Sequence, residues 1–276
     1  MSVRPPGVAL CYSPAADAHP ATQAFFAAFR DGDRSLRAMT ITGFESAITE
    51  LPDEEELHLL LGLAHLWRLA EPLPDETGAA AQLPSAVGAR DHLRRAYELC
   101  PTDHRIAAWL GPILVRFGRT LNDQDMVDEG LRVLDQGIAA YPSFVLFSKL
   151  LVYAESPRDA PEFQQALTAV VDNIDACGET PTDPACTNQT VPHNREGASI
   201  FLGDVLTKAG RRADAHAAYS DAIAGPDFAS WSFQPLLHAR LDQLDARIAL
   251  FGDADPANDP DAAWIAPNQC ALCHTR

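Results

Sequence analysis

The last seven residues of the chain carry two thiols and an imidazole in the order Cys270-Ala271-Leu272-Cys273-His274. Two thiols three residues apart can reach the two vinyl groups on one edge of a porphyrin. The adjacent imidazole then swings beneath the ring and ligates the iron through a ring nitrogen. The same residue types do other chemistry. A Cys-x-x-Cys pair can be a redox dithiol, but the thioredoxin-like form needs a strand-then-helix context that the sequence lacks. It can also be half of a zinc site, but no second Cys-x-x-Cys or His pair completes one here. Adjacent Cys-His ligands are also poorly placed for a tetrahedron. Porphyrin attachment is the leading reading, with a zinc or thiol role, or no role, as the alternatives.

The motif matches the haem-attachment signature of c-type cytochromes. That resemblance implies one covalent haem c, with Cys270 and Cys273 as thioether anchors and His274 as proximal ligand. It also implies electron transfer outside the cytoplasm. Only two residues follow His274, so the preceding helices are expected to fold back and cover the apolar plate, or a partner must. For the sixth ligand, His193 leads, because Pro192 fixes the approach and Asn194 is a candidate helix N-cap. His238 follows, and Met126 and Met39 trail. The metal ligands expected are thus His274 and His193. A five-coordinate iron would instead point to ligand binding or peroxide chemistry. His65 reads as core packing, and His58, His92, His104 and His216 as surface or inter-helix residues.

Cys177 and Cys186 bracket a loop with two prolines, and in an oxidising compartment they are expected to form a disulfide that braces the approach to His193. Cys11 and Cys100 could form a second bridge, with plain burial as the alternative for Cys100. No continuous apolar segment of a signal peptide is visible in Met1–Pro20. The expected location is nonetheless periplasmic or extracellular, inferred from the haem motif. Asn188-Gln189-Thr190 is a sequon with meaning only in a secretory-pathway host. The acidic run from Asp253 to Asp261 lacks the glycine and terminal glutamate of a calcium loop and reads as a solvated linker.

Stepping along the chain, apolar residues recur at three-four spacing. Phe25, Phe26 and Phe29 form one short face, and Leu36, Met39, Phe44 and Ile48 another. Leu57, Leu60, Leu61, Ala64 and Trp67 predict a buried helix over Leu57–Ala70, and a single long helix is expected over Leu236–Leu250. No strand alternation is present, so the fold class is all-α. Leu61-Gly62, Leu110-Gly111 and Leu202-Gly203 each sit mid-helix. Each is followed by a helix with small residues seven apart: Ala89/Ala96, Gly130/Gly137 and Ala215/Ala222. Leu93, Leu134 and Tyr219 stand between them. This pattern resembles the tetratricopeptide repeat and implies a helix-turn-helix array over roughly residues 53–227. Glu71–Val87 reads as an insertion in the first unit, the second unit is lengthened near Thr120–Asp125, 143–176 matches loosely, and Cys177–Pro192 reads as a long loop. Three regions follow: an N-terminal helical arm, 1–52; the array, 53–250; and a linker with the haem tail, 251–276.

A net charge of −17 with a sequence pI of about 4.8 disfavours nucleic acid and anionic lipid. No apolar stretch reaches the roughly 18–20 residues needed to span a bilayer. The expected partners are another redox protein or further copies of this chain. The rival readings are a protein-interaction adaptor using the repeat groove and a haem enzyme or sensor with an open iron site. No Gly-x-Ser-x-Gly, phosphate-binding loop or His-Glu-x-x-His is present, and no catalytic residue is assigned.

Overall fold

The computed structural model describes residues 11, 13–31, 36–69, 78–179, 186, 194–253 and 255–261. Among them are thirteen α-helices and no strand. In order these are α1 (Pro14–Ala18), α2 (Pro20–Asp31), α3 (Arg37–Glu50), α4 (Glu55–Leu69), α5 (Gly78–Leu99), α6 (His104–Leu121) and α7 (Gln124–Ala140). There follow α8 (Pro142–Tyr153), α9 (Pro161–Glu179), α10 (Asn194–Lys208), α11 (Arg212–Ile223), α12 (Gln234–Asp242) and α13 (Leu244–Gly252). The architecture is an all-α helix-turn-helix array.

Three helix pairs, α4–α5, α6–α7 and α10–α11, form its tightest contacts, and each closes on a mid-helix glycine. A Cβ on Gly62 would stand 2.6 Å from Leu93 Cγ, one on Gly111 2.4 Å from Leu134 Cγ, and one on Gly203 2.3 Å from the Tyr219 ring. The bulky residue of the second helix thus fills the space the glycine leaves. Ala89, Ala96, Gly130, Gly137, Ala215 and Ala222 flank these contacts and are all buried. Between the pairs, α3 packs on α4, α5 on α6, α8 on α6, α7 and α9, and α13 on α10.

The links follow from cap chemistry. Asn122 takes the left-handed conformation, and the Asp123 side chain accepts the Met126 amide. Asn122 and Asp123 thus make a tight turn, and the lengthening of the second unit lies in α6, which runs 18 residues to Leu121. Gly210, at φ 77°, plays the same part between α10 and α11. Asp103 caps α6 through the Arg105 amide.

Two expectations are corrected, and the described part of the insertion gains a secondary structure. The insertion over Glu71–Val87 is helical from Gly78, because its alanines extend α5 and Pro84 is accommodated within the helix. No loop begins at Cys177, because it still belongs to α9, which runs to Glu179. The single helix over Leu236–Leu250 is two helices, broken at Gln243 (φ −98°, ψ 4°). That break turns Arg240 and Arg247 onto one buried carboxylate, Asp204. In the arm, Phe25 and Phe44 are buried with Trp67, whereas Phe26 and Met39 face solvent. No described helix is long and apolar enough to cross a membrane.

Candidate functional site

Cys270, Cys273, His274 and His193 lie outside the described residues, as does the sequon. The described structure defines what surrounds them in sequence. Cys177 is bonded to Cys186, closing the loop before His193, and Cys11 is bonded to Cys100, pinning the N-terminal arm to the end of α5. Two disulfides are the mark of an oxidising compartment. α10 begins at Asn194, the residue after His193.

At the other end, the chain leaving α13 folds back onto an arginine of α13 that faces α10. Arg247 donates to the Asp261 carbonyl at 2.8 Å and lies 3.7 Å from Asp204. Asp204 is fully buried within α10, so its charge must be compensated. It accepts a hydrogen bond from Tyr219 at 2.7 Å and pairs with Arg240 at 3.0 Å. Burial, and then the Asp204 charge, push the Tyr219 hydroxyl well above its ordinary value, so it stays a donor. Lys208, at the end of α10, donates to the carbonyls of Ala154 and Ser156 and sits over the Phe163 ring. Burial lowers its pKa. In the acidic run, Asp253 accepts the Asp255 amide and Asn258 Nδ2, and Asp255 accepts the Ala257 amide. These carboxylates serve turns.

Two polar clusters sit at the first hairpin. Glu55, Glu56 and Asp103 bring carboxylate oxygens within 4.8 Å of one another where α4 and α6 both begin. Arg105 is already bonded to Asp103 and to Glu56, the latter at 2.9 Å. Burial, with Asp103 and then Glu56 adding repulsion, pushes the Glu55 carboxyl up to about 8. The folded protein therefore holds Glu55 protonated at neutral pH.

The second cluster is a column of histidines between α4 and α5. The His58 and His92 rings stack at 5.4 Å, and those of His92 and His65 at 5.9 Å. His58 Nδ1 and His92 Nδ1 are 3.1 Å apart, and His58 Nε2 is 3.1 Å from the Pro52 carbonyl. A carbonyl only accepts, so His58 carries its proton on Nε2, and the shared hydrogen bond belongs to His92 Nδ1–H. Burial lowers all three imidazoles below their ordinary value, His92 to about 4, with His58 and His65 adding to the shift. The column is neutral at physiological pH.

Sequence reasoning placed His58 and His92 at the surface or between helices. Their pairing could have been found from register. Gly62 meets Leu93 and His65 meets Gly88, which sets His92 level with the midpoint of His58 and His65. Asp204 was missed altogether, although an aspartate inside Phe201-Leu202-Gly203-Asp204-Val205-Leu206 signals a buried charge that needs partners. No family model, no curated protein and no solved structure matches the chain.

Proposed function

We propose that the chain is a monohaem c-type cytochrome on a tetratricopeptide-like helical array, transferring electrons in the periplasm or as a secreted protein. The observation that carries this reading is Cys270-Ala271-Leu272-Cys273-His274. Two thiols and an imidazole at this spacing are the donor set that thioether attachment and axial ligation require. When bound, haem c supplies a one-electron iron centre. The chain's own part is to anchor it through Cys270 and Cys273, to ligate through His274, and to offer His193 as the distal imidazole.

Chain geometry supports the pairing of tail and loop. The tail is rooted at Asp261, beside Arg247 and the second half of α10. His193 precedes the first residue of that helix, whose 15 residues span about 22 Å. The nine residues 262–270 reach at most about 30 Å. The tail can therefore run the length of α10 to the His193 loop, or leave it for a neighbouring copy. The two disulfides agree with an oxidising compartment, where haem c is attached. The net charge of −17 suits a basic redox partner.

Expression in a host able to mature c-type cytochromes is expected to give red protein that keeps its Soret band after acid–acetone extraction. A colourless product overturns the cytochrome reading and leaves the array as a partner-binding adaptor. In the loaded protein, His193→Ala is expected to abolish the low-spin spectrum, and an unchanged spectrum removes His193 as ligand. Binding of carbon monoxide by the unaltered protein would favour the enzyme or sensor reading.

A further inference from the structure

The haem reading leaves the histidine column of the first hairpin unused. His58 is 6 % exposed, and its ring is fixed by donating Nε2–H to the Pro52 carbonyl. That outer hydrogen bond is the kind by which metal-ligating histidines hold their orientation. It leaves the His58 Nδ1 lone pair facing His92 Nδ1 across 3.1 Å, with one proton between them. His92 is partly exposed, and in its other tautomer the proton sits on Nε2 and leaves Nδ1 bare. Two bare nitrogens then converge. At this separation, with metal–nitrogen bonds of about 2.0–2.1 Å, they subtend roughly 100° at an ion. That angle lies between the square-planar and tetrahedral values.

We propose that His58 and His92 form a bis-imidazole site on their Nδ1 atoms for one divalent transition-metal ion of the Zn²⁺, Cu²⁺ or Ni²⁺ class. Water completes the coordination, and imidazole donors select these borderline ions over Mg²⁺ or Ca²⁺. Asp53 and Asp91 lie near His58 and His92 but are already paired, with Arg95 at 2.9 Å and with Arg90 at 2.7 Å, so the two imidazoles would hold the ion as neutral donors. His65 has a different part. It stacks on the outer face of His92, and among the described residues it makes no three-ligand group with the pair. The Glu55, Glu56 and Asp103 group is not the cation site, because the Arg105 guanidinium already holds two of its carboxylates.

The test uses the full chain without an affinity tag, carrying Cys270→Ser, Cys273→Ser and His274→Ala so that the tail binds no zinc, stripped with chelator and titrated with ZnSO₄ by calorimetry. One Zn²⁺ per chain is expected, with affinity weakened about tenfold or more in His58→Gln and in His92→Gln. His65→Gln is expected to bind within about threefold of this tail-substituted chain, since it removes a stacking neighbour and no ligand. Circular dichroism checks that the variants fold. Zinc-edge X-ray absorption on this tail-substituted chain, with His58 and His92 intact, is independent of the site variants and is expected to count two imidazoles and no sulfur. Undiminished binding in the double variant, a zinc shell without two imidazoles, or no saturable Zn²⁺ binding would each overturn the site.

Discussion

Glu55 shows how one residue sets a stability profile. Its folded carboxyl titrates near 8 against an ordinary 4.5, so the neutral form is favoured by folding. The stability this contributes is fully present below about pH 4.5 and is lost as pH rises towards 8. Glu55→Gln keeps the shape and the donor while removing the titration. The variant is expected to match the unaltered chain near pH 4 and to exceed it by ~4 kcal/mol at pH 8.5. Urea unfolding at the two pH values measures this, and equal gains at both would place the alkaline loss on another group. Lys208 is the reverse case, a buried cation kept in place by two carbonyls and an aromatic ring.

At the scale of elements, each hairpin depends on one missing side chain. Gly111→Ala drives a Cβ into Leu134 Cγ and towards the Gly130 carbonyl, and backbone cannot yield as a side-chain tip can. Overpacking of this kind typically costs about 1–3 kcal/mol. A urea midpoint lowered accordingly, with an unchanged slope, is the expected result, and an unchanged midpoint would mean that α6 and α7 can slide apart freely. The glycines at 62, 111 and 203, the small residues seven apart and the all-α class were legible because packing leaves periodic traces in sequence. The helical start at Gly78 and the break at Gln243 were not. The first carries no apolar stripe of its own, and the second depends on where Asp204 sits in a different helix. Of the candidate sites, the terminal cysteine motif is local and could be read directly. The His58–His92 pair exists only through the register of two helices.

For the whole molecule, the Cys11–Cys100 bridge joins positions 89 residues apart and ties the arm to the array. A cross-link closing so long a loop restricts the unfolded chain strongly. Cys11→Ser with Cys100→Ser is expected to cost ~2–4 kcal/mol, read as a lower thermal midpoint under non-reducing conditions. A midpoint that does not move would mean that the core of α2, α3 and α4 holds the arm unaided.

The contact between Arg247 and the Asp261 carbonyl also has a concentration consequence. It confines the cysteine motif to a sphere of about 30 Å radius around the root of the tail. A single group in such a volume experiences its own protein's surface at an effective concentration in the millimolar range. Docking within one chain is then independent of dilution, while exchange onto a second copy becomes competitive only as the protein itself approaches millimolar levels. Under the proposed cytochrome reading, crowding at a surface, without any change in the tail, would be enough to let one chain's motif reach a second copy.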